Sequence, residues 1–124
     1  MNPFELLLVA VGGGVGAALR FVLDGTVKAR VAGFPLGTVV INVSGSFVLG
    51  LLTGLGEAGT LPIPAVAVLG TGMMGGYTTF STASVETVQL LRSGKTRLAV
   101  LNGLGMLVVS VGAAALGLSI GRNP

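Results

Sequence analysis

The sequence predicts an all-α membrane protein of four transmembrane helices, with the third helix broken near its middle. Three observations lead there. Of the 124 residues, 52% are hydrophobic and only 9% are charged, too few polar side chains to cover a water-soluble domain of this size. Four uncharged stretches recur along the chain, each supplying the roughly 20 apolar residues that cross a bilayer core. One of them is interrupted by Gly75-Gly-Tyr-Thr-Thr-Phe-Ser-Thr82, whose two glycines and three threonines make a poor helix interior.

Taken in order, the first span runs from about Phe4 to Leu23, with Glu5 and Arg20 near its ends. The second lies within Val31 to Gly56. The third lies within Ala58 to Val85 and extends toward Leu91, and the fourth runs from Leu98 to Gly121. Short loops at 24–33, 56–63 and 92–97 join them. Gly33, Pro35, Gly59, Pro62, Pro64 and Gly94, in or beside these loops, are breakers at helix ends. This leaves a single domain, residues 1–124. Met1 to Glu5 carries no basic residue ahead of the first apolar run, so a secretory signal is not expected.

The 22 glycines would weaken helices in water, but in lipid they let backbones approach closely. Gly12 and Gly16, Gly50 and Gly54, Gly72 and Gly76, and Gly117 and Gly121 each stand four apart, giving every span a small-residue stripe. Helix packing accounts for these stripes. Four short helices do not easily enclose a polar pathway alone, so a dimer or larger assembly is expected.

Composition also excludes function classes. Cysteine and histidine are both absent, which removes disulfides, thiolate metal sites and imidazole acid–base chemistry. The net charge of +3 comes from seven basic residues in an apolar chain. They fit membrane edges better than a nucleic-acid surface, for no basic cluster is interleaved with aromatics. No catalytic triad, metal-ligand set or phosphate loop beside a strand suggests an enzyme.

Polar residues inside a bilayer need a reason, because an unpartnered polar group there costs several kcal/mol. Asn42, Ser44 and Ser46 form one cluster; Asn42 and Ser46 are four apart and share a helix face. The Gly75–Thr82 run forms the second. A helix break at that depth frees backbone groups, tolerated only where protein or a polar cavity satisfies them. Freed carbonyls can hold a small hard cation. Freed N–H groups and hydroxyls, those of Thr79 and Ser81 among them, can meet an anion. Asn102 and Ser110 make a thinner third cluster, eight apart near one helical face, with Met106 between them. Arg20 and Glu86 either snorkel to the interface or line a vestibule.

These residues resemble a known family. Gly12-Gly-Gly-Val-Gly-Ala-Ala-Leu-Arg20 is similar to the first-helix motif of the Fluc (CrcB) fluoride channels, Gly37 to Gly50 with Asn42 inside is similar to the second, and Gly75–Thr82 followed by Glu86 is similar to the third. The motifs fall in order over nearly the whole chain. The resemblance implies an antiparallel dimer with two narrow pores and passive fluoride export from a prokaryotic cell membrane. It implies that Phe80 offers its positive ring edge to the anion and that Asn42 and Ser110 donate hydrogen bonds. It places Arg20 in or near an aqueous vestibule. It also implies that the backbone carbonyls of Gly75 and Thr78, from both subunits, cage a structural Na⁺.

Two features depart from the family pattern. Ala83 stands where a second phenylalanine is usual, and Met106 and Ala114 stand where hydroxyls would continue a polar track. Charge placement is one-sided as well: Arg20, Lys28, Arg30, Arg92, Lys95 and Arg97 flank the first and third loops, against Arg122 alone on the other side. The positive-inside rule then puts both termini outside. Hetero-pairing with a paralogous subunit of opposite topology is therefore favoured over a homodimer. A proton-coupled multidrug transporter is a rival of similar size, but it needs a carboxylate deep in the membrane, and Glu5, Asp24 and Glu57 sit at span ends. A non-conducting structural subunit is the other alternative.

Overall fold

A computed structural model describes residues 2–28 and 35–124, and every regular element among them is helical. Helix α1 spans Pro3–Lys28. It starts where Asn2 accepts the Glu5 N–H at 2.8 Å, a side-chain cap, with Pro3 at the first helical position, where its missing N–H costs nothing. The expected loop at 24–33 begins later than its sequence suggests. No glycine or proline follows Gly25 closely enough to stop the helix, and Thr26 bonds back to the Val22 carbonyl at 2.9 Å. The remainder of that loop, including Arg30, Val31 and Gly33, lies outside the described residues.

Helix α2 spans Leu36–Glu57. It ends as its glycine foretells: Gly59 has φ 77°, and the N–H groups of Gly59 and Thr60 bond to the carbonyls of Gly56 and Leu55 at 3.1 and 3.0 Å. This is the left-handed termination that only glycine adopts without strain. Helix α3 covers residues 63–77, opening on Pro62 and Pro64 and widening into π-helical turns over Ala67–Met74. Helix α4 spans Phe80–Arg92 and closes with the same device at Gly94. Helix α5 spans Thr96–Arg122, with a π-helical turn at Leu101–Gly105.

Three helices, α1, α2 and α5, are long and apolar enough to cross a membrane unbroken; α3 and α4 together make the remaining crossing. Large apolar side chains such as Phe4, Phe21, Leu107 and Val108 are exposed. That is an arrangement suited to lipid, and the chain is a multi-pass membrane protein.

The glycine stripes pair the helices two by two. A Cβ built on Gly16 would lie 1.9 Å from the Met73 carbonyl oxygen, and one on Gly76 would lie 2.0 Å from that of Gly13. Gly12 and Gly72 complete this α1–α3 seam. On the other side, Gly50 meets Ala114, Gly54 meets Leu118, Gly117 meets Phe47 and Gly121 meets Leu51, each backbone to backbone. At such distances any side chain would force the helices apart. The two seams fix the frame, and at its outer edge Arg122 pairs with Glu57 between the ends of α5 and α2.

Candidate functional site

The break in the third crossing falls at Thr78 and Thr79. Both are extended, Thr78 at φ −80°, ψ 156° and Thr79 at φ −145°, ψ 123°. An exposed peptide here would be costly. Asn42 on α2 removes that cost by matching it group for group. Its Nδ2 donates to the Thr79 carbonyl at 2.8 Å, and its Oδ1 accepts the Thr79 N–H at 2.8 Å. Thr79 in turn caps α4, its Oγ1 accepting the Thr82 N–H at 3.3 Å.

These substitutions of partner have a consequence. In an unbroken helix the Thr79 N–H would serve the Gly75 carbonyl and the Thr82 N–H would serve that of Thr78. Here both donors go to side chains. The carbonyls of Gly75 and Thr78 therefore lose their helical donors, among those that the break at Thr78 and Thr79 sets free. Gly75 is exposed, with open space where a Cβ would stand.

Beside the break lies a groove of about 550 Å³ between α2, α4 and α5, lined among others by Asn42, Ser46, Thr79, Phe80, Ala83, Asn102, Met106 and Ser110. Phe80, at the start of α4, is 87% exposed. Ser110 Oγ is buried and has no hydrogen-bond partner among the described residues. Asn102 is 1% exposed; its Nδ2 donates to Thr87 Oγ1 at 2.8 Å, while its Oδ1 has no partner among the described residues. The second N–H of Asn42 points at Met106 Sδ, 3.1 Å away.

A second hollow, of about 400 Å³, opens on the other side of the break. Ala17, Arg20, Asp24, Thr38, Thr79 and Thr82 line it with their neighbours. Arg20 Nε is buried without a hydrogen-bond partner among the described residues. Thr79, whose peptide Asn42 holds, borders both hollows. Near this hollow the buried Thr38 hydroxyl donates to the Glu86 carboxylate, joining α2 to α4.

The structure thus brings Asn42, Thr79, Phe80 and Ser110 to one groove and sets Arg20 in the other hollow. Ser81 lines neither; its Oγ lies 3.5 Å from Thr79 Oγ1. Ser44, read with Asn42, turns away to Tyr77 Oη at 3.0 Å. Sequence reasoning missed two participants. Thr38 stands four residues before Asn42, a spacing that could have placed it on the same face. Thr87 carries the same signal relative to Ala83. Met106, read as an interruption of the polar track, instead takes the second N–H of Asn42.

The family model described as "CrcB-like protein, Camphor Resistance (CrcB)" matches residues 7–118. "Fluoride-specific ion channel FluC 1" of Leifsonia xyli subsp. xyli is 53% identical over 122 residues, covering 98% of this chain and 89% of the relative. "Fluoride-specific ion channel FluC 2" of Cutibacterium acnes is 46% identical over 95% of this chain and 98% of its own length. "Fluoride-specific ion channel FluC" of Parabacteroides distasonis is 37% identical over 96% and 94%. A match spanning nearly every residue of all four crossings leaves one assignment: the chain belongs to the CrcB family.

Proposed function

We propose that this chain is a subunit of a fluoride-selective channel through which fluoride leaves the cytoplasm passively, lowering its toxicity. One observation carries the reading: beside the peptide pinned by Asn42 lies a groove lined by the neutral polar side chains of Asn42, Thr79 and Ser110 and by Phe80. Fluoride is small and tightly hydrated. A pore for it must replace water with close donors yet release the ion again. Amide, hydroxyl and ring-edge groups at Asn42, Thr79, Ser110 and Phe80 suit both demands, with Arg20 drawing anions into the neighbouring hollow. The names of the relatives support the same ion. The test is fluoride efflux from liposomes carrying the reconstituted protein, read by a fluoride electrode after potassium ionophore is added. Rapid release of fluoride with chloride retained is expected; release no faster than from empty liposomes would overturn the function.

The reading extends to a structural Na⁺. The Gly75 and Thr78 carbonyls, deprived of helical donors, with Gly75 exposed and Thr78 half-buried, are the oxygen type a small hard cation takes. Two from each protomer of an antiparallel dimer would hold one. Among the described residues no cluster of three or more acidic side chains competes for that role. The ion would hold convergent carbonyl dipoles together.

Pairing with a paralogue of opposite topology is supported by Ala83, which lines the groove three residues after Phe80, and by the one-sided basic residues. Full efflux from the chain alone would reject hetero-pairing. Efflux only on co-reconstitution with a partner of opposite charge bias would support it, and would leave open the second reading that Ala83 favours, in which the groove of this chain is the silent one.

A further inference from the structure

We propose that Met106 is a positioning residue whose thioether holds one N–H of Asn42 loosely, as a stand-in that the permeating anion displaces. The proposal rests on the fluoride-channel reading above. An asparagine amide has two N–H donors and one carbonyl acceptor. For Asn42 the acceptor and one donor are committed to the peptide of Thr79, each at 2.8 Å. Those two bonds fix the plane of the amide. The second N–H is thereby aimed without freedom to turn, and it meets Met106 Sδ at 3.1 Å.

The two acceptors differ in kind. A peptide carbonyl is a strong acceptor, and a thioether sulfur is a weak one. Asn42 and Met106 both line the groove, so this N–H···S contact lies on the wall an anion would pass. Met106 is only 7% exposed, so its side chain is packed beside the Asn42 donor. The side chain is unbranched and adaptable, able to withdraw when the N–H is claimed. An anion arriving at Asn42 therefore finds a donor already oriented and has only a weak bond to break. When the anion leaves, the sulfur returns and the N–H is never stranded. A carbonyl at 106 would hold the N–H against the anion, whereas a hydroxyl, which can also donate, would not, and no acceptor would hold the anion longer. The interruption of the polar track thus sets how easily the site releases its ion.

The test uses the conducting assembly, whichever pairing supplies it. In selectively ¹⁵N-asparagine-labelled protein, fluoride should shift one of the two Asn42 side-chain amide protons strongly and leave the other, bonded to Thr79, nearly fixed. Met106→Leu removes the acceptor at similar volume, and the fluoride concentration giving half-maximal flux should fall severalfold. Met106→Gln offers a carbonyl at similar reach, and flux should drop at least tenfold. An Asn42 amide unmoved by fluoride in a conducting wild type would overturn the role of Met106. So would an unchanged or raised half-saturation in Met106→Leu, or wild-type flux in Met106→Gln. Absence of fluoride flux in the wild type is a different outcome, for it would bring down the function itself.

Discussion

The two halves of the third crossing are held in place by opposite means. Helix α3 lies against α1 across glycines, with Gly16 and Gly76 admitting the facing backbones to contact. Helix α4 is held by side-chain hydrogen bonds: Asn42 at its start, Thr38 to Glu86 along its length, and Asn102 to Thr87 toward α5. Close van der Waals packing is unforgiving of volume and indifferent to chemistry. Directional bonds are the reverse, tolerating volume and demanding the right atoms. One crossing therefore joins a rigid anchor to a segment whose position is set by hydrogen bonding, and the groove opens where the second begins.

Substitutions should separate these two regimes. The largest effect is expected on the packed half. Gly16→Val places atoms inside the distance of the Met73 carbonyl and should cost about 3 kcal/mol or more, seen as loss of the monodisperse peak in size exclusion and a collapsed thermal midpoint. Next comes Asn42→Ala, which strands the Thr79 N–H and carbonyl. A loss of about 2 kcal/mol is expected, together with a fall in fluoride flux of at least tenfold. Hydrogen exchange should show it as faster exchange in residues 80–92 while α1 stays protected; uniform loss of protection would erase the distinction drawn here. Thr38→Val keeps the shape and removes only the hydroxyl, and should cost about 1 kcal/mol with the same local exchange signature in weaker form. The smallest effect belongs to Glu57→Gln, which breaks an exposed ion pair. Exposed pairs contribute little, so the thermal midpoint should stay unchanged within error in moderate salt.

The frame was legible in the sequence, and the site was legible in part. Apolar runs betray crossings because lipid leaves few alternatives, and all eight glycines at four-residue spacing found backbone partners. Gly59 and Gly94 ended helices as breakers should. The break itself was readable from Gly75–Thr82, because glycine and threonine weaken a helix wherever they stand. Its bonding was not. The partner of Thr79 lies 37 residues away on α2, and nothing local says that an asparagine amide will replace the missing helical bonds. Asn42 looked like a free donor; in the folded chain it first completes the break and only then has one N–H left. The Thr38–Glu86 bond was equally hidden, since a threonine near a span's start reads as an interfacial residue until α4 is laid beside it.

The meeting of the two hollows at Thr79 has an electrical meaning. Water filling them would carry potential inward toward that residue, because clefts with low-dielectric walls focus field lines. The membrane voltage would then fall over a shorter path than the roughly 30 Å of a bilayer core, and an anion passing Thr79 would meet a disproportionate share of it.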